Sequence, residues 1–173
     1  GKLIKKNIPG VKKICIVSDN KLPKKLLRNL LSSLRNYDVK IFKLSANEKN
    51  KSLSVANKII HELLKKNFNR SDCLIAFGGG ILGDLSAFIS SLTKRGIKFV
   101  NIPTTLLAQV DASIGGKTGI NSNQGKNLIG TFYQPDFILS DSAVLKSLPE
   151  RQLISGYAEI LKHSLIVDKK FFI

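Results

Sequence analysis

Residues 72–96 read DCLIAFGGGILGDLSAFISSLTKRG, and their order of patterns decides the fold. DCLIAF is a short unbroken apolar run, the signature of a strand buried on both faces. It runs straight into GGGILGD, a turn too glycine-rich for either regular structure. LSAFISSLTKRG then reads as a helix closed by Gly96 as a C-terminal cap. Strand, tight turn and helix in this order form the building unit of a parallel sheet.

The same alternation extends in both directions. KKICIVSD (12–19) is another buried-strand run, followed by LPKKLLRNLLSSLRNY, where Leu22, Leu26, Leu30 and Leu34 recur at helical spacing. DVKIFKLS reads as a strand, and SLSVANKIIHELLKKNF as a helix with Val55, Ile59, Leu63 and Leu64 on one face. IKFVNIP and FILSD (137–141) supply two further strands. From Leu148 the pattern turns helical, with Glu150 in the first turn near the positive helix end. The fold class is therefore α/β: an open, doubly wound, mostly parallel, Rossmann-like sheet with helices on both faces. It is expected to occupy residues 1–147, with 148–173 the beginning of an all-helical domain.

In such sheets ligands bind outside the carboxyl ends of the strands. Here those ends carry Asp19, the segment SANEKNK, GGGILGD and Pro103-Thr104-Thr105, so polar and glycine-rich residues from four strands converge on one crevice. Gly78-x-Gly80-x-x-Gly83 has the dinucleotide spacing, in which the backbone approaches a pyrophosphate at a helix N-terminus. It follows the third strand rather than the first, and no acid stands about 20 residues on to bind a ribose. A plain strand-to-helix turn is the competing reading. Asp84 suits either a helix cap or a ligand contact. GGKTG (115–119) is not a phosphate-binding P-loop, because Asp111 stands where that motif needs its first glycine.

Glu159 and His163 are four apart on the last helix and share a face. A metal needs more donors, and the only other histidine, His61, lies on a different helix, so both histidines read as helix-surface or interface residues.

The chain has 173 residues, 43% of them hydrophobic and 23% charged, which fits a folded domain with a real core. Its net charge of +16 suggests a polyanion partner. The lysines are scattered, however, and no aromatic residues interleave with them as a base-stacking platform requires. A basic nucleic-acid-binding module therefore remains only the alternative from another class. Cys15 and Cys73 lie inside strand runs and read as buried, reduced and structural. There is no signal peptide and no spanning apolar run, so neither a membrane partner nor a compartment other than the cytoplasm is expected. A chain that opens on Gly1, contains no Met and stops in DKKFFI is expected to be a piece of a longer protein.

GGGILGD, then Arg95-Gly96 six residues before PTTLLAQVDASIGGKTGIN, then GKNLIGTFYQP and GYAEILKH, together closely resemble the 3-dehydroquinate synthase family. The match in order and spacing runs over residues 12–173; related sugar-phosphate cyclases share the layout. The resemblance implies a cytoplasmic homodimeric lyase of the shikimate pathway that converts 3-deoxy-D-arabino-heptulosonate 7-phosphate to 3-dehydroquinate and phosphate. It implies NAD, recycled within each turnover, and a divalent metal, zinc or cobalt.

By the same resemblance, Lys117, Lys126 and Asn127 meet the anionic groups of the substrate and the nicotinamide region. Asp111 lies against the reacting ring, Lys162 contacts substrate, and Arg95 reaches the substrate phosphate of the neighbouring subunit. The implied NAD contacts are Asp19, Glu48, Lys51, Gly80, Ile81, Leu82, Gly83, Asp84, Thr104, Thr105, Lys117, Lys126, Val144, Leu145, Lys146 and Ser147. Glu159 matches the family's carboxylate metal ligand. Asn47 and Asn50 depart from the family's usual glycine and aromatic beside Glu48 and Lys51. The family's two histidine ligands fall beyond Ile173, and His163 is neither of them, so the chain alone is expected to be inactive.

Overall fold

The structure, a computed structural model, describes residues 1–167. Five parallel strands form the sheet: β1 (Lys13–Asp19), β2 (Asp38–Leu44), β3 (Cys73–Gly78), β4 (Lys98–Pro103) and the two-residue β7 (Phe137–Ile138). Their order is β2-β1-β3-β4-β7. The chain leaves β1 for β2 on one side and returns to β3 on the other, so the switch point of the topology lies between β1 and β3.

β3 is buried at every position and β1 at all but its two ends, which is why both read as continuous apolar runs. Helices α3 (Leu53–Lys65) and α4 (Gly80–Leu92) cover one face around Ile59, Leu63, Leu82, Leu85 and Phe99. Helices α1 (Lys2–Asn7) and α2 (Lys24–Ser33) cover the other around Ile4, Leu27, Ile14, Ile75 and Val100. The open, doubly wound sheet expected from the alternation is thus present.

Several local expectations are corrected. The last strand stops at Ile138 instead of Asp141, because β7 pairs with β4 at only two positions. Leu64 points to solvent, since α3 buries the stripe of Ala56, Ile59 and Leu63. Gly96, at φ +116°, closes a 3₁₀ turn over Thr93–Arg95 rather than α4 itself. The glycine-rich stretch after β4 is not a plain loop. It contains a π-helical turn, Ala108–Ala112, and an antiparallel hairpin of β5 (Ile120–Ser122) and β6 (Gly125–Ile129). Helix α5 (Glu150–Val167) realises the helical pattern expected after Leu148. Residues 168–173 of the expected helical domain lie outside the described residues.

Candidate functional site

The polar segments expected to converge do so at the carboxyl edge of the sheet. Asp19 ends β1, where its Oδ1 accepts the Lys21 N–H at 3.0 Å. The glycine turn after β3 opens α4, capped by Gly79. The amides of Leu82 and Gly83 both donate to the Gly79 carbonyl at 3.1 Å. Those of Gly80 and Ile81, the first in the helix, have no intrahelical acceptor, as at any helix N-terminus, an end that suits an anion. The side chains of Leu82 and Val144 are buried, so any contact they make with a nucleotide is through backbone.

Thr104 is likewise buried, its N–H given to the Gly78 carbonyl at 2.9 Å, while Thr105 Oγ1 accepts from Ala108 N. The 3₁₀ turn Ser142–Ser147 carries Val144, Leu145, Lys146 and Ser147. Gln109 ties it to β4: its Nε2 donates to the carbonyls of Pro103 and Asp141, each at 3.1 Å.

A cleft of about 660 Å³ opens beside this edge. Asp84, Asp111, Lys117 and Asn127 line it, with Ile114, Leu128 and Phe132 as its apolar wall. Four residues from three separate sequence segments thus share one concave surface. Lys126 stands on the hairpin outside the cleft and pairs with Glu48 at 3.4 Å. Arg95 is exposed, at φ +62°, and lines no part of the cleft.

Lys51 is the electrostatic centre of the wall. Only 4% exposed, it gives its ammonium to Asp84 and to the Asn127 side-chain oxygen. Burying a lone ammonium is prohibitive, so both acceptors are needed to hold it there. Burial raises the Asp84 carboxyl above its ordinary value, and the Lys51 hydrogen bond offsets part of that. Glu48 moves the other way: the hydrogen bond from Asn121 lowers it, with Lys126 adding to the effect.

Asp111 sits in the π-helical turn, a local widening common where side chains are aimed at a site. Helix α5 lies across that turn because Gly156 lets it approach. A methyl group there would come within 2.5–2.8 Å of Leu106 and the Leu107 amide. This approach brings Glu159 and His163 to Asp111, with one donor atom of each inside a 4.8 Å sphere of separations. The His163 Nε2 lies 3.5 Å from Glu159 Oε1, is shielded from water and has no hydrogen-bond partner among the described residues. Lys162 holds the same Glu159 carboxylate, which raises the Lys162 ammonium.

Two carboxylates and an orphaned imidazole suit a divalent cation such as zinc or cobalt. Asp111 stands beside Glu159 and His163 through a helix–turn contact that spacing along the chain does not reveal. His61 is exposed on α3, as expected.

The sequence reading also missed Asn121 and Gln109. Both lie inside the quoted motif stretches, and nothing in the spacing set Asn121 apart from the neighbouring amides Asn123, Gln124 and Asn127.

The fold and the site together define an open, doubly wound α/β domain whose strand-end crevice, with a helix N-terminus, adjoins a lysine- and carboxylate-lined cleft. The family model for the 3-dehydroquinate synthase N-terminal region matches residues 41–155. The 3-dehydroquinate synthase of Pelagibacter ubique is 56% identical over 171 residues, 99% of this chain and 46% of the relative. The chain belongs to the 3-dehydroquinate synthase family, and it spans about half the length of the curated relatives it matches.

Among solved structures, a 2-deoxy-scyllo-inosose synthase complexed with carbaglucose-6-phosphate, NAD+ and Co2+ matches with a TM-score of 0.87 and 28% identity, over 92% of this chain and 44% of that one. A 2-epi-5-epi-valiolone synthase from Streptomyces hygroscopicus subsp. jinggangensis, with NAD+ and Zn2+ bound, gives 0.84 and 29% over 92% and 45%.

Proposed function

We propose that this chain forms the NAD-binding domain (residues 1–147) and the first helix of a metal- and substrate-binding domain (148–173) of a 3-dehydroquinate synthase. The enzyme converts 3-deoxy-D-arabino-heptulosonate 7-phosphate to 3-dehydroquinate and inorganic phosphate, as a cytoplasmic homodimer with no nucleic-acid or membrane partner. The observation that carries this reading is the single cleft uniting Asp84, Asp111, Lys117 and Asn127, in a chain 56% identical to a named synthase. Bound NAD would supply reversible oxidation of a ring-precursor hydroxyl, and a zinc or cobalt ion held by Glu159, with Asp111 and His163 in reach, would polarise that hydroxyl.

The chain's own residues do the rest. The open amides of Gly80 and Ile81 receive the pyrophosphate. Asp19, Glu48, Lys51, Asp84, Thr104, Thr105 and the turn at 144–147 surround the nucleotide. Lys117, Lys126 and Asn127 orient the substrate's anionic groups, and their positive potential favours the charge that develops as phosphate departs. Lys162 adds a second cationic contact beside Glu159. By the family resemblance, Arg95 would reach the substrate phosphate of the neighbouring subunit. No helix among the described residues is long and apolar enough to cross a membrane.

The test is a chimera in which this chain replaces the matching residues of the Pelagibacter ubique synthase. The expected result is phosphate release from 3-deoxy-D-arabino-heptulosonate 7-phosphate that requires both NAD and a divalent metal. A folded, NAD-binding chimera that ignores this substrate but cyclises another sugar phosphate would favour the second reading, a related cyclase. The two solved cyclases give that reading its support.

A further inference from the structure

We infer that Asn121 is a positioning residue: it locks the loop after β2 to the β5–β6 hairpin, so that Glu48, Lys51 and Asn127 are presented to the bound ligands as one rigid unit. The inference rests on the cofactor reading above, because Glu48 and Lys51 are assigned there to the nucleotide and Asn127 to the substrate.

Every hydrogen-bonding group of Asn121 named here is engaged, and each partner belongs to that set. Its Nδ2 donates to Glu48 Oε2 at 2.7 Å and to the Glu48 carbonyl at 3.2 Å. Its Oδ1 accepts the Asn127 N–H at 3.1 Å. Its own N–H donates to the Lys51 carbonyl at 2.8 Å, and it bridges in parallel to Ser52. The amide orientation is fixed by this pattern, since a flip would set Oδ1 against two acceptors and the NH₂ group against a donor.

The consequence is mechanical. Asn127 has φ +59°, a left-handed conformation that asparagine tolerates better than other non-glycine residues and that its partners fix here. Asn121 grips its backbone N–H while Lys51 grips its side chain. Release of Asn121 frees the hairpin from the loop, loosens Asn127 and lets the Glu48 carboxylate swing into water. Nucleotide-side and substrate-side contacts then lose their common frame, and preorganisation lost before binding is affinity lost.

The experiment compares the wild-type chain with Asn121→Ala, Asn121→Asp and the control Asn123→Ala, which alters an exposed residue of the same hairpin. NADH binding is followed by fluorescence and the Glu48 carboxyl by NMR titration. Asn121→Ala should weaken NADH binding on the order of tenfold, the loss of hydrogen bonds that orient a charged contact, and return Glu48 toward its ordinary value. Asn121→Asp keeps the acceptor for Asn127 but turns a carboxylate on Glu48, so it should bind no better than Asn121→Ala. Asn123→Ala should match wild type.

Wild-type affinity in a folded Asn121→Ala or Asn121→Asp would overturn the inference. A wild-type chain that takes up no NADH would instead refute the cofactor reading. Positioning is then decided by Glu48 alone, and a midpoint unmoved in Asn121→Ala overturns it.

Discussion

At the residue scale, two carboxyls near the buried Lys51 ammonium titrate in opposite directions from their ordinary values, Asp84 raised by burial and Glu48 lowered chiefly by the Asn121 hydrogen bond. Burial raises Asp84 above 3.8, so its contribution to stability is full below the unfolded value and is lost as pH rises through the folded one. Glu48 is held below 4.5, chiefly by Asn121, so its contribution is present above the unfolded value and is lost as pH falls through the folded one. Carboxyl-detected NMR should place the Asp84 midpoint above and the Glu48 midpoint below these ordinary values. Lys51→Met removes the partner that offsets burial, so Asp84 should move further up. Breaking this buried pair should cost roughly 3 kcal/mol in denaturant unfolding. An Asp84 midpoint unchanged by Lys51→Met would contradict the pairing.

Little of this was legible in the sequence. One lysine among twenty-eight lysines and arginines gives no sign that it alone is buried among the described residues. The resemblance pointed to Lys51, but its partners Asp84 and Asn127 lie 33 and 76 residues away. The approach of Asp111 to Glu159 and His163 was hidden for the same reason.

At the scale of elements, the buried strands were legible because each is apolar on both faces, whereas the hairpin was not, because β6 buries almost nothing. The hairpin is anchored in the core through Ile120 of β5, while backbone contact holds its β6 side. A methyl group on Gly130 would overlap the Thr118 carbonyl oxygen and sit 3.0 Å from the Gly119 Cα. No rotamer change relieves a clash with backbone. Gly130→Ala should therefore cost about 2–4 kcal/mol and lower Tm by several degrees, checked by calorimetry.

Gly156 makes a parallel case for α5. Gly156→Ala should drive the helix off the π-helical turn, parting Glu159 from Asp111. Co2+ binding followed by visible absorption should weaken on the order of tenfold or more, as outer contacts of metal sites do when displaced. Unchanged Co2+ affinity in a folded variant would show that Asp111 and α5 are not brought together by this approach. The π-helical turn itself escaped the sequence reading, since its extra residue interrupts the helical period without a proline or paired glycines to mark it.

At the scale of the whole molecule, the alternation of patterns was enough for a parallel doubly wound sheet. The strand order, and with it the switch point between β1 and β3, comes only from the structure. The same burial silences the two thiols. Cys15 is pushed up to about 12 and Cys73 is raised as well, both chiefly by burial. Thiolate is the reactive form, so neither should react with a thiol reagent in the native state, and both should react fully once the chain is unfolded. Rapid native-state labelling would contradict the packing of β1 against β3.

The central claim is that the crevice at the strand ends takes NAD. It is tested most directly by titrating the chain with NAD+ and following its backbone amide resonances. The account predicts saturable shifts centred on Asp19, Glu48–Lys51, Gly80–Asp84, Thr104–Thr105 and Val144–Ser147. Shifts that fail to saturate, or that gather instead at the apolar cavity between α1 and β7, would contradict it.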